Sequence, residues 1–166
     1  RQELEELRGY AGIADNIRAN AKGEALIPAL KTAFERAHGL GAARKAVIFT
    51  ESRRTQQYLF ELLSARGYAD ELVLMNGSNN DPHSKVIYQA WLERHKGQEV
   101  ISGSKPVDMK AAISEEFRER ASILIATEAA AEGVNLQFCS IVVNFDLPWN
   151  PQRVEQRIGR CHRYGQ

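Results

Sequence analysis

Four short apolar runs separated by helical patterns constrain this chain more than any other feature in it. They are Ala46-Val-Ile-Phe-Thr50, Leu72-Val-Leu-Met75, Ile123-Leu-Ile-Ala126 and Ile141-Val-Val-Asn-Phe145. A continuous apolar run of that length, without polar alternation, suits a strand buried on both faces, as in a parallel sheet. The segments between them place apolar residues at helical spacing: Leu59, Leu62 and Leu63; Val86, Ile87, Ala90 and Trp91; Met109, Ala112, Ile113 and Phe117. Strands alternating with helices read as βαβ units, so the expected class is α/β, a parallel sheet sandwiched by helices. Such sheets present ligands at the carboxyl ends of their strands, which directs attention to the residues that follow each run.

The N-terminal part is read as helical. Leu4, Leu7, Ala11, Ala14 and Ile17 form one stripe over residues 1–21, with Gly9 and Gly12 leaving open a division into two shorter pieces. A second helix is expected from Lys22 to about His38, with Leu26, Ile27, Leu30 and Phe34 on one side and Gly39 and Gly41 closing it. Residues 1–21 are therefore expected to be an N-terminal helical extension and 22–166 the main domain.

Composition narrows the function classes. Lys plus Arg number 22 against 21 Asp plus Glu, which excludes a histone-like basic protein but leaves room for a local basic stripe. Cys139 and Cys161 make neither a disulfide framework nor metal-ligand spacing, and the histidines at 38, 83, 95 and 162 do not cluster, so no metal-binding residues are expected. No apolar run approaches a membrane span and the first twenty residues are charged, unlike a signal peptide; a cytoplasmic protein without membrane contact is expected. The phosphate-cradling GxxxxGK[ST] is absent, as are GxSxG, HExxH and CxxC. The Asp70-Glu71 pair precedes an apolar run instead of ending one, so it is read as a surface turn and not a Mg²⁺ box.

The last forty residues carry the chemistry. Asn150 and Pro151 suit the cap and first position of a helix that continues through Gln152-Arg-Val-Glu-Gln-Arg-Ile-Gly-Arg-Cys-His-Arg163. With Gln156 at zero on a helical wheel, Arg160 falls at about 40°, Arg163 at about −20° and Arg153 at about 60°. Val154, Ile158 and Cys161 fall on the opposite side, at about 160°, 200° and 140°. Gln156, Arg160 and Arg163 thus converge outward without an acid among them, and planar guanidinium donors suit a polyphosphate. The competing explanation is a solvated face with ion pairs to Glu155.

Ala126-Thr-Glu-Ala-Ala-Ala-Glu-Gly-Val-Asn-Leu-Gln137 and Gln156-Arg-Ile-Gly-Arg-Cys-His-Arg-Tyr-Gly-Gln166 resemble motifs V and VI of superfamily 2 helicases. Gly-Val-Asn-Leu-Gln, Trp-Asn-Pro and the closing Arg-Tyr-Gly-Gln are similar to the Swi/Snf-like translocases and the bacterial RNA polymerase-recycling ATPases. Ala46-Val-Ile-Phe-Thr-Glu-Ser-Arg53 resembles motif IV. The resemblance spans about residues 22–166 and is most specific in the final third. It implies the second RecA-like lobe of a two-lobed, DNA-dependent ATPase, inactive by itself. ATP and Mg²⁺ would be held mainly on the first lobe of the same polypeptide, and the nucleic acid would be duplex DNA.

Position by position, the resemblance makes Arg160 and Arg163 arginine fingers and Gln156 the glutamine that opens motif VI. Gly133 and Asn135 fall near the nucleotide, Asn135 standing where many relatives have Asp. Thr50, Ser52, Arg53 and Thr127 match positions that touch the sugar-phosphate backbone. Plainer roles stay open: Thr50 and Thr127 as strand-end caps, and Ser52 as N-cap of the helix that follows. Relatives have one Gly-Ser loop between the second strand and motif V, whereas this chain has two, so residues 79–101 read as an insertion. Gly103 and Ser104 are assigned the family's backbone-contacting loop, with Gly77-Ser78 as rival. In the insertion, Asp81-Pro82 starts a helix and Trp91 serves either the core or an interface. The alternative to a motor lobe is a non-catalytic nucleic-acid- or protein-binding module that reuses the fold.

Overall fold

The computed structural model describes residues 2–146 together with Gln152 and Glu155. Its elements run α1 (Gln2–Gly39), β1 (Ala46–Thr50), α2 (Arg53–Leu63), β2 (Leu72–Met75), α3 (Pro82–Arg94), α4 (Lys105–Glu119), β3 (Ile123–Thr127), α5 (Glu128–Ala131) and β4 (Ile141–Asn144). The strands form one sheet in the order β2-β3-β1-β4, with every neighbouring pair parallel. All four apolar runs are strands, and those of β1, β2 and β3 are buried throughout.

Alternation along each strand divides the core into two layers. Val47, Phe49, Val73, Met75, Leu124 and Ala126 face one way, onto Ile87 and Trp91 of α3 and Met109, Ala112, Ile113 and Phe117 of α4. Ala46, Ile48, Leu72, Leu74, Ile123 and Ile125 face the other, onto Leu59 and Leu63 of α2 and Leu26, Leu30 and Phe34 of α1. This is the α/β class that the runs and their spacing predict, a parallel sheet sandwiched by helices. Trp91 is wholly buried, which settles its role as core.

The expected break between two N-terminal helices is absent: α1 is a single helix that passes through residues 21 and 22. Gly9, Gly12 and Gly23 lower helix stability by about 1 kcal/mol each against alanine but put nothing in the helix's way. Gly23 also lets α1 approach α2, since a Cβ there would collide with Tyr58 and Leu62. The helix stops at a Schellman turn. Gly41 takes φ +70°, its N–H donates to the His38 carbonyl at 3.0 Å, and Ala42 N–H reaches back to Ala37 at 2.8 Å. No helix among the described residues is long and apolar enough to cross a membrane.

The amino edge of the sheet is tied by charge. Arg44 pairs with Glu71, donates to Ser122 Oγ at 2.9 Å and lies over the Phe34 ring at 4.4 Å. Asp70 and Glu71 form a short turn leading into β2, as their position before the apolar run predicts. Lys45 reaches the carbonyls of Phe117 and Ala121, so a cation caps the carboxyl end of α4. That contact puts the last turn of α4 at the amino edge and its start, about 22 Å away along the helix, toward the carboxyl edge.

A polar clasp holds α3 on α4. Glu115 accepts from Trp91 Nε1 at 3.0 Å, from Arg94 at 3.0 Å and from His95 Nε2 at 2.8 Å, while His95 Nδ1 meets Gln98 Oε1 at 2.9 Å. Burial alone would raise the Glu115 pKa, but donation from Arg94, His95 and Trp91 outweighs it and holds the group below its ordinary 4.5. Hydrogen bonds to Gln98 and Glu115 raise His95 above 6.5, against the effect of burial. The depressed Glu115 contributes stability above 4.5 and loses it as pH falls through its folded value. The raised His95 contributes below 6.5 and loses its part as pH rises through its folded value. The clasp is therefore complete between about pH 4.5 and 6.5. The expected result is that His95→Ala lowers the urea midpoint more at pH 6 than at pH 9; equal losses would mean that the charge on His95 contributes nothing.

Candidate nucleic-acid interface

β1 and β3 are adjacent and in register, so Thr50 and Thr127 lie opposite each other at the carboxyl edge. The two threonines differ in commitment. Thr50 is fully buried; its hydroxyl donates to the Ser52 carbonyl at 2.8 Å and accepts from Ser52 N–H at 3.1 Å, which folds the chain from β1 into α2. Thr127 stands at the N-cap position of α5 and makes no side-chain capping bond.

Ser52 is the N-cap of α2: its Oγ accepts from Thr55 N–H at 3.0 Å and lies 2.9 Å from the Thr55 hydroxyl. The capping role is thus filled, and the side chain is exposed at the carboxyl edge. Arg53 and Arg54 follow it, exposed and without an ion pair among the described residues, and the first turn of α2 contains no acid. A cation at the positive end of a helix is unfavourable by roughly 0.3–1 kcal/mol. An anion bound there would reverse that sign.

The two Gly-Ser loops are built by different devices. Asp108, buried in the first turn of α4, accepts from Ser102 N–H at 2.9 Å, Ser102 Oγ at 2.6 Å and Gly103 N–H at 3.2 Å. Those bonds, that of the Ser102 side chain foremost, hold the Asp108 carboxyl below its usual range despite burial. Gly103 takes φ +80°, and Gly103 and Ser104 are exposed at the start of α4. Gly77 and Ser78 are exposed on the turn leaving β2, which Asn76 organises by accepting from Ser78 N–H at 3.1 Å and Asn79 N–H at 2.8 Å. Both loops lie toward the carboxyl side of the sheet.

Gly133 and Asn135 lie in the exposed segment after α5. Gly133 takes φ +77°, with nothing near the place of a Cβ, and Asn135 Oδ1 accepts from Gln137 N–H at 3.0 Å. Glu51 N–H donates to Asp146 Oδ2 at 3.2 Å, which joins the ends of β1 and β4. Gln156, Arg160 and Arg163 lie outside the described residues.

Sequence reasoning missed the buried amides of this edge, Gln56, Asn76 and Asn79. A signal was present. Gln56 stands three and seven residues before Leu59 and Leu63, on the stripe that α2 turns to the core.

Comparison with known proteins gives the family and the fold. Residues 29–165 match the family described as the helicase conserved C-terminal domain. The chain belongs to that family. It is 41% identical over 122 residues to the uncharacterized ATP-dependent helicase YqhH of Bacillus subtilis, a match covering 74% of this chain and 17% of that protein. It is 44% identical over 72 residues to the RNA polymerase-associated protein RapA of Pectobacterium carotovorum, covering 43% of this chain and 7% of that protein. This helicase C-terminal domain thus corresponds to a small part of the length of its relatives. In fold it is similar to the C-terminal part of the Fun30 ATPase domain, with a TM-score of 0.57 at 23% identity over 86% of this chain and 36% of that one. It is also similar to the Escherichia coli DEAD-box protein SrmB, with a TM-score of 0.52 at 22% identity over 89% of this chain and 66% of that one. The expected second RecA-like lobe of a superfamily 2 helicase is the family these matches give.

Proposed function

We propose that this chain is the second lobe of an ATP-dependent, Swi/Snf-like translocase that tracks the backbone of duplex DNA in the cytoplasm. The observation that carries the reading is the carboxyl edge. Thr50 and Thr127 sit in register, and the capped start of α2, whose Arg53 has no ion pair among the described residues, follows directly on β1. The Ser52 and Thr127 hydroxyls, helix-start amides and a guanidinium on one edge suit phosphate oxygens, with the buried Thr50 hydroxyl shaping the turn beneath them, and such contacts position a motor without reading sequence. Gly103 and Ser104, at the start of α4, extend the same edge.

Nucleotide contacts follow the family's pattern. ATP and Mg²⁺ are assigned mainly to the first lobe of the same polypeptide. Here Gly133 offers open backbone, and Asn135, whose Oδ1 is used on Gln137, has no hydrogen bond from Nδ2 among the described residues and can turn that donor to a ligand. No group of three His, Cys, Asp or Glu side chains able to hold a metal occurs among the described residues. Arg160 and Arg163 would stabilise charge on the phosphates across the interlobe cleft, with Gln156 beside them. By this division of labour the isolated lobe does not hydrolyse ATP.

The test is ATP hydrolysis by the full-length protein, alone and with duplex DNA, single-stranded DNA or RNA. Stimulation chiefly by duplex DNA is expected, and no hydrolysis with any nucleic acid would favour the binding-module alternative. Arg53→Ala is expected to weaken duplex binding equally across sequences and to reduce the slope of log affinity against log salt by about one. An unchanged salt slope would remove Arg53 from the contact.

A further inference from the structure

We infer that Gln56 is a positioning residue that holds three DNA-contacting segments of the carboxyl edge in one arrangement; this rests on the function proposed above. Gln56 is 2% exposed, on the apolar stripe of α2. An amide there is tolerated only when its polar atoms are bonded, and both of its ends are used. Nε2 donates to the Met75 carbonyl at 3.0 Å and to the Ile125 carbonyl at 2.7 Å, while Oε1 accepts from Asn76 Nδ2 at 3.0 Å.

Those bonds join α2 to two neighbouring strands and to the turn that leaves one of them. Met75 ends β2, and Ile125 lies two residues before Thr127 in β3. Asn76 continues the chain of amides into the turn. Its Oδ1 accepts from the N–H groups of Ser78 and Asn79 and from Ser78 Oγ, while Asn79 Oδ1 accepts from Asn76 N–H at 2.8 Å. Asn79 is the one non-glycine residue with positive φ among the described residues, at 44°, and this closed ring of bonds fixes it.

The consequence is geometric. Arg53 is one helical turn before Gln56, Gly77-Ser78 sit on the Asn76–Asn79 turn, and Thr127 ends the strand that Gln56 grips. A single buried amide therefore sets the spacing of three groups on three separate elements. Apolar contacts alone would let α2 slide over the sheet, because they lack direction, whereas two carbonyls received by one planar amide define one position. Gly77-Ser78 becomes part of the contact edge alongside Gly103-Ser104, so both Gly-Ser loops are used.

The experiment compares the full-length wild type with Gln56→Ala, Gln56→Glu and Leu59→Ala. It measures the duplex DNA concentration giving half-maximal ATPase stimulation, the turnover at saturating DNA, the DNA affinity by fluorescence anisotropy and the melting temperature. Gln56→Glu matters because it keeps the shape and the acceptor for Asn76 but removes the donors to Met75 and Ile125. Both Gln56 variants are expected to raise the half-maximal DNA concentration about tenfold and to weaken binding in parallel, with turnover at saturation within twofold of wild type. Leu59→Ala, which loosens the same helix through packing alone, is expected to lower melting while leaving the half-maximal concentration unchanged. If Gln56→Ala melts lower but keeps wild-type DNA dependence, Gln56 is structural only and the inference is overturned. If Leu59→Ala shifts the DNA dependence equally, the amide has no special part and the inference is again overturned. A wild type that binds no duplex and shows no stimulation would overturn the proposed function and this inference with it.

Discussion

Arg160→Ala in the full-length protein is expected to lower ATP turnover at saturating ATP and DNA by about 10³-fold or more, with the fold intact. An arginine finger is worth about 10³–10⁵ in rate, because it meets charge that develops on the phosphates during transfer. Arg160 and Arg163 fall on the same side of the helical wheel that the sequence predicts, so each should be needed and the double variant should lose little more than either single one. Arg160→Lys is a sharper probe: it keeps the charge and removes the planar fork, so a bidentate role predicts that most of the loss remains. Direct measurement of nucleotide and DNA affinity in the same variants should show much smaller changes than turnover. Near wild-type hydrolysis by Arg160→Ala would return the arginine face to a binding role without catalysis.

Trp91→Ala is expected to have the largest effect on stability, about 3–5 kcal/mol. The side chain is wholly buried between the sheet and α4, and its Nε1 is bonded to Glu115. Removal leaves a cavity in the core layer that also holds Ile113 and Phe117 and deprives a half-buried carboxylate of one donor. In a domain of this size, with about 2–4 °C of melting temperature per kcal/mol, the transition should fall by roughly 6–20 °C. Trp91→Phe separates the two causes, since it retains most of the packing and loses only the donor; about 1–2 kcal/mol is expected. Scanning calorimetry of the full-length protein can read both variants. A melt unchanged by Trp91→Ala would mean that α3 is not anchored to α4 as described.

The strands were legible because parallel sheet geometry demands a simple local pattern. Ala46–Thr50, Leu72–Met75 and Ile123–Thr127 must be apolar on both faces, and nothing outside the runs is needed to see that. Caps were legible for the same reason: Ser52 and Asp81 bond to amides only three residues away, so sequence and contact coincide. The family, too, was readable from the residues of motifs V and VI. By contrast, α1 was divided in two because its apolar stripe was read as two periodic segments meeting at residues 21 and 22, and the observed helix runs on through that expected boundary.

The candidate site divides along the same line. The resemblance to motifs IV and V nominated Thr50, Ser52, Arg53 and Thr127, but their relation to one another is a matter of register between strands far apart in sequence. Only tertiary structure shows Thr50 turned inward onto Ser52 while Thr127 leaves its cap position unused. Gln56 shows the limit most clearly. In the sequence it is an amide on an apolar stripe, which could as well have been a solvated edge position. Its meaning comes from carbonyls 19 and 69 residues away. Periodicity and capping are set by near neighbours along the chain, so the sequence by itself determined the class of fold, the strands and the start of α3 at Asp81-Pro82. Hydrogen-bond satisfaction in a buried layer depends on which distant groups the fold brings within 3 Å, and that was decided only once the sheet had assembled.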